Sequence, residues 1–190
     1  LQDENPRKEE VVDNDDCIHG LISGDYQKSP ATQIGWVSTE SHLEMVTSKQ
    51  TTWDIITNCG DVPLDIAEKI TQWVLGDAFE LESLKNRRLD ELSQGEQKLI
   101  LMASALAQCP NVLILDEPTQ GLDWATRRRI LALLERVCQV FPDELSLIFI
   151  THYEDEWIPS LSHVLHLDRG HAVYQGSKSN YDPLKVSKSR

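Results

Sequence analysis

Apolar residues recur along this chain with two different periods, and those periods divide it into strands and helices. TQIGWVST reads as a strand from about Gln33 to Ser38. From Ser41 to about Ser83 the spacing is helical. In LDIAEKITQWVLGD, Ile66, Ile70, Trp73 and Val74 share a face, and Gly76 is expected to stop the run. SLKNRRLDEL reads as a polar connector. EQKLILMASALAQ is apolar almost all round, which predicts a buried helix, and Pro110 ends it. NVLIL is short and wholly apolar, as a central parallel strand covered on both faces would be. ATRRRILALLERVCQVF is amphipathic: Ile130, Leu133, Leu134, Val137 and Phe141 share a face, while Arg127, Arg128 and Arg129 are expected on a solvated one. LSLIFIT predicts a second buried strand. HVLHLDRGHAVYQG predicts two strands around an Arg169-Gly170 turn.

Strands alternating with helices predict an α/β fold with a mostly parallel sheet flanked by helices. The stretch between Ile34 and Leu92 breaks the alternation with helices alone, so an inserted α-helical subdomain is expected at about 41–92. Residues 1–16 are acidic and turn-rich and are expected to form a flexible arm. CIHGLISGD fits one short helix ending at Gly24. The folded domain is expected over 17–176, with a loose polar tail over 177–190.

Composition narrows the function. A length of 190 residues with 40% hydrophobic content suits one globular domain. No apolar stretch approaches the roughly 18–20 residues of a membrane helix. The chain begins at Leu1 rather than Met, so a truncated or excised sequence without a secretion signal is expected. A formal net charge of -13 repels phosphate backbones, so no direct nucleic-acid partner is expected, nor anionic lipid. The four cysteines, Cys17, Cys59, Cys109 and Cys138, include no CxxC. They suggest neither a disulfide framework nor a zinc site, and a reducing compartment is expected.

Three stretches carry candidate chemistry. In VLILDEP, Asp116 and Glu117 follow an apolar strand, where α/β sheets place their ligands. Neighbouring side chains on a strand diverge, so the two acids can do different work. Asp116 suits a magnesium ion held through its water shell. Glu117 suits a general base for a water attacking a phosphoryl group. Alternatively, both merely solvate a strand end. In FITHY, His152 follows another buried strand, placed to hydrogen-bond a terminal phosphate or hold the attacking water; a structural histidine is the alternative. In LSQGEQ, Ser93 and Glu96 match a capping box, and a helix N-terminus with Gly95 is also an anion site. Both can hold at once.

Taken in order, an aromatic-containing strand, a helical insert, LSQGEQ, VLILDEP, QGLD and FITH resemble the ATP-binding cassette (ABC) ATPases, a P-loop NTPase-like fold. The resemblance runs from about Ile22 to Gly176. LSQGEQ is similar to the family signature, VLILDE to its Walker B segment, QGLD to its D-loop and His152 to its switch histidine. Within the family, IGWVSTESH, LILDEPTQGLD and THYEDEW most resemble the ModF/PhrA-type, molybdate-transport-related ATPases. The resemblance implies ATP and Mg2+ as cofactors and a second cassette as partner, in a homodimer or a tandem chain. Asp116, Glu117 and His152 would serve their own nucleotide. Ser93, Gly95 and Glu96 would face the ATP bound by the partner, and Asp123 would couple the sites at the seam. A membrane transport subunit is a further implied partner. The implied location is the cytoplasm or an organelle interior, at a membrane periphery where transport is involved.

The chain also departs from the family pattern. The signature's two glycines become Gln94-Gly95, and its closing glutamine becomes Glu96. Thr39 stands where a Q-loop glutamine is usual; its hydroxyl can still reach magnesium or water, over a shorter distance. The sequence contains no G-x-x-x-x-G-K-[ST] phosphate loop. If LISGD ends the helix that follows such a loop, Asp15 and Asp16 occupy the place of its lysine and hydroxyl, where they repel phosphate. Each lost charge-assisted hydrogen bond costs about 1.5–3 kcal/mol, and several would remove micromolar ATP affinity. Two readings stay open: a truncated cassette whose intact form supplies the loop, and a degenerate one that only lends its signature to a partner.

Overall fold

The apolar runs at Ile34–Val37 (β1), Val112–Asp116 (β2) and Ser146–Ile150 (β3) pair in parallel, in the order β1-β2-β3, in the computed structural model of the chain. The structure describes residues 32–38, 49–58, 72, 76 and 81–183, all within the unit Ala31–Arg190. The 1–16 arm, the CIHGLISGD helix, Cys17, Cys59, Thr39 and most of the 41–92 insert lie outside the described residues.

Parallel neighbours need long crossovers, and helices supply them. β1 leads through Thr52–Thr57 (α1) and Gln94–Ala107 (α2) to β2, and Trp124–Val140 (α3) joins β2 to β3. The register sets Val37, Leu115 and Phe149 in one row and Gly35, Leu113 and Leu147 in the next. Leu113 and Leu115 are fully buried, in one cluster with Leu99, Ile100 and Met102 of α2 and Ile130, Leu134 and Val137 of α3. Gly35 admits this packing, because a Cβ there would sit 3.2 Å from a Leu113 methyl and 3.3 Å from Pro110.

The expectation that β3 is buried is corrected, while β2 buries Leu113 and Leu115 on one face and half-buries Val112 and Ile114 on the other. Residues of the opposite row stay open among the described residues: Trp36 is 55% exposed, Ile148 48% and Ile150 46%. An unbroken apolar run shows that a strand packs, but not on how many faces. The polar connector also differs from expectation. It holds short 3-10 turns at Glu82–Leu84 and Leu89–Glu91, which bury Leu84, Leu89 and Leu92. The buried Gln97 amide donates to the carbonyls of Leu89 and Leu92, each at 3.0 Å, and ties the connector to α2. Gln72 and Gly76 are themselves helical, and the expected end of the run beyond Gly76 lies outside the described residues.

At the C-terminal end, His163–Asp168 (β4) and His171–Ser177 (β5) form the expected antiparallel hairpin. Arg169 and Gly170 take positive φ of 48° and 80°, the backbone twist that suits a two-residue hairpin turn. The start of the polar tail is packed rather than loose. The Tyr181 ring lies 5.2 Å from Trp157 and 5.1 Å from Tyr174, and its hydroxyl is 2.9 Å from His166 Nδ1. Among the described residues, no helix is long and apolar enough to cross a membrane.

Candidate functional site

The site begins where β2 ends. Asp116 is the last strand residue, and Glu117 then adopts φ 46°. A non-glycine residue held in the left-handed region costs about 1–2 kcal/mol, and such strain gathers where geometry serves a task. Neighbouring contacts hold it there: the Glu117 N–H donates to the Ile150 carbonyl at 3.0 Å, and the Gln120 N–H donates to the Glu117 carbonyl at 3.1 Å. Glu117 thus leaves the strand at a left-handed residue, so the alternation expected from sequence does not extend to it, and both acids line one small cavity. Glu117 Oε1 lies 2.7 Å from His152 Nε2, with the imidazole 81% exposed and the carboxylate side chain 24%.

Asp116, half-buried, lines one small cavity with Glu117, Lys98, Ser38, Met102 and Pro118. Lys98 reaches in from α2, and its Nζ donates to the Gln120 carbonyl at 2.6 Å. Burial pushes the Lys98 ammonium below its usual range, against the opposing pull of Glu117 and Glu156. A cation thus faces the two acids from the next element.

Ser93, Gly95, Glu96 and Asp123 form a second cluster, at the start of α2 and α3. Ser93 N–H and Oγ donate to Glu96 Oε2 at 2.8 and 2.7 Å, and the Glu96 N–H donates back to Ser93 Oγ at 3.3 Å. The Ser93–Glu96 pairing is a capping box, as its spacing predicted. Hydrogen bonds from the Ser93 side chain and backbone hold the Glu96 carboxyl below its ordinary range. Asp123 caps α3, accepting from Ala125 N at 3.0 Å, Thr126 N at 3.1 Å and Thr126 Oγ1 at 2.6 Å. These bonds, with Thr126's foremost, lower its pKa as well. Gly95 joins the two helix starts: it is buried, and a Cβ there would stand 2.5 Å from Thr126 Cγ2.

The donor set bears on a metal. Among the described residues, no group of three or more His, Cys, Asp or Glu side chains is arranged to hold an ion. Asp116 and Glu117 at one cavity still match magnesium, which binds through one or two carboxylates together with water and phosphate oxygens. Thr39 lies outside the described residues.

Several residues at the site escaped the sequence reading. Arg127 is not on a solvated face: its Nε lies 3.5 Å from Glu156 Oε1, and its guanidinium stacks over Tyr153. Glu156 is 1% exposed and sits between Thr119 and Thr151. A lone lysine in an otherwise apolar helix was a legible signal for Lys98. Glu156 gave none, because YEDE looks like solvated charge.

Comparison with known proteins accords with this geometry. Residues 1–120 match the family described as ABC transporter. The ATP-binding protein YmeB of Lactococcus lactis, an uncharacterized ABC transporter protein, is 37% identical over 99 residues, 52% of this chain and 38% of that protein. The phosphonates import ATP-binding protein PhnC 2 of Haloarcula marismortui is 32% identical over 102 residues, 54% of this chain and 37% of that protein. The matched stretch thus spans little more than a third of these relatives' length. Among solved structures, the dimeric bacterial ABC transporter cassette MJ0796 superposes with a TM-score of 0.56 at 21% identity, over 77% of this chain and 63% of that one. The same cassette bound to ADP and Pi gives 0.57 at 20% identity, over 77% and 63%. At that identity the likeness establishes the P-loop NTPase-like fold.

Proposed function

The chain belongs to the ABC transporter family, and from that premise we propose that it is a cassette that binds and hydrolyses ATP with Mg2+. The observation carrying this reading is the 2.7 Å contact between Glu117 and His152, made across the ends of two adjacent parallel strands. Glu117 acts as general base toward the attacking water. His152 orients that water or the terminal phosphate. Asp116 would hold the ion, with Thr39 as a further oxygen donor. A bound magnesium would supply charge neutralisation at the phosphate oxygens.

Ser93, Gly95 and Glu96 are offered to the ATP of a second cassette, as a homodimer or tandem chain, and Asp123 sits at the seam. Two features support this division. The Ser93–Asp123 cluster is built on helix starts, apart from the Glu117–His152 contact at the strand ends. The dimeric solved cassette also shows that this fold pairs with itself. The motifs IGWVST, LILDEPTQGLD and THYEDEW support the narrower ModF/PhrA-type assignment. With it come a membrane transport subunit as partner and a cytoplasmic or organelle-interior location at the membrane periphery.

The test is magnesium-dependent phosphate release. Glu117→Gln should lower turnover by about 10²–10⁴-fold while nucleotide binding persists; unchanged turnover rejects Glu117 as base. The given residues hold no G-x-x-x-x-G-K-[ST] run, which fits a truncated cassette whose intact form supplies the loop and equally a second reading, a non-hydrolysing cassette that only contributes its signature. In that case the chain releases no phosphate from ATP but stimulates a competent partner cassette.

A further inference from the structure

Glu156 is the most deeply buried carboxylate among the described residues, at 1% exposed, and the chemistry proposed above does not use it. Burying an ion costs several kcal/mol unless charge and hydrogen bonds compensate it. Here compensation comes from separate segments. Thr119 Oγ1, two residues beyond Glu117, donates to Glu156 Oε1 at 2.6 Å. Thr151 Oγ1, one residue before His152, donates to Glu156 Oε2. Arg127 of α3, four residues beyond Asp123, sets its Nε 3.5 Å from Oε1. The Thr151 hydroxyl also accepts from the Tyr153 N–H at 3.0 Å, so it braces both sides of His152. A buried ionic group of this kind adds little net stability over a well-packed apolar one. What it adds is a fixed relation between the segments it touches.

We infer that Glu156 is a positioning residue, which clamps the loop carrying Glu117 to the loop carrying His152 and links both to the helix capped by Asp123. The inference deepens the ATPase reading and rests on it for its catalytic meaning, but the clamp is open to measurement without turnover.

Hydrogen–deuterium exchange on the chain is the test. Glu156→Gln keeps volume and loses the charge. It should raise exchange about tenfold, the effect of one weakened charge-assisted bond, in residues 117–122 and 151–156 together. The reporting amides are Gln120, Leu122 and Tyr153. Thr119→Val should loosen only the first segment and Thr151→Val only the second. Thr119→Ser, which restores the hydroxyl, should return the first to the parent rate. Exchange in α2 and β2 should stay unchanged throughout. The proposal is overturned if Glu156→Gln leaves both loops unchanged, or if exchange rises equally in α2. Should Glu156→Gln not fold, the two valine variants decide: loosening of both segments by either one overturns the separate arms. Where the parent chain hydrolyses ATP, Glu156→Gln should lower kcat with KM unchanged, and Glu156→Asp should recover part of it. A parent without turnover defeats the ATPase reading and leaves the exchange result standing.

Discussion

Replacing Gly95 by alanine sets two known effects against each other. Alanine is favoured over glycine in a helix interior by about 1 kcal/mol, and by less in the first turn, where Gly95 stands. On helix propensity alone, Gly95→Ala stabilises. The structure reverses the sign. The added Cβ would lie 2.5 Å from Thr126 Cγ2, inside any ordinary carbon–carbon contact. Thr126 cannot turn away freely, because it is β-branched and its hydroxyl is held 2.6 Å from Asp123 Oδ2. Either that bond breaks or the two helix starts move apart. Overpacking of this kind costs about 1–3 kcal/mol, which outweighs the propensity gain. Gly95→Ala should therefore destabilise by roughly 1–2 kcal/mol, read as a lower urea midpoint at unchanged slope. Thr126→Ser deletes Cγ2 and keeps the hydroxyl. Gly95→Ala combined with Thr126→Ser should then recover most of the loss, leaving a favourable coupling of about 1 kcal/mol in the double-mutant cycle. If Gly95→Ala raises the midpoint, or if the cycle shows no coupling, close packing is not the reason for the glycine.

The unequal faces of the sheet predict unequal cavity penalties: Leu115→Ala, at a fully buried position, should cost about 2–5 kcal/mol, while Ile148→Ala, at a position 48% exposed, should cost well under half as much in the same urea series. Stability should also fall on acidification below about pH 4.5. The carboxyls of Glu96, Asp123, Asp54 and Glu135 all titrate below their ordinary values of 4.5 for Glu and 3.8 for Asp. Their hydrogen bonds thus stabilise the fold above those values and are lost as pH falls through the lowered ones. For Glu135 burial opposes the shift, but bonds from Ser160 and Gln139 prevail. A urea midpoint that stays level from pH 6 down to pH 3 refutes the assignment.

What the sequence determined by itself was local. Periods of two and 3.6 marked β1, the buried α2, β2, the amphipathic α3 and the hairpin, because each depends on residues a few positions apart. The Ser93–Glu96 box and the Arg169-Gly170 turn were legible for the same reason. The order of motifs was enough to indicate the family. The tertiary structure alone decided which elements share a contact. Nothing in VLILDEP shows that Glu117 leaves the strand at a positive φ, because its support comes from the Ile150 carbonyl of another strand. The sequence reading gave Gly95 a place at a helix N-terminus; only the fold shows that Thr126 of another helix packs against it. Glu156 looked like one acid among several in YEDE, yet it becomes a buried junction once Thr119, Arg127 and Thr151 converge on it. Burial and long-range pairing depend on the position of the whole chain, so neither periodicity nor spacing carries them.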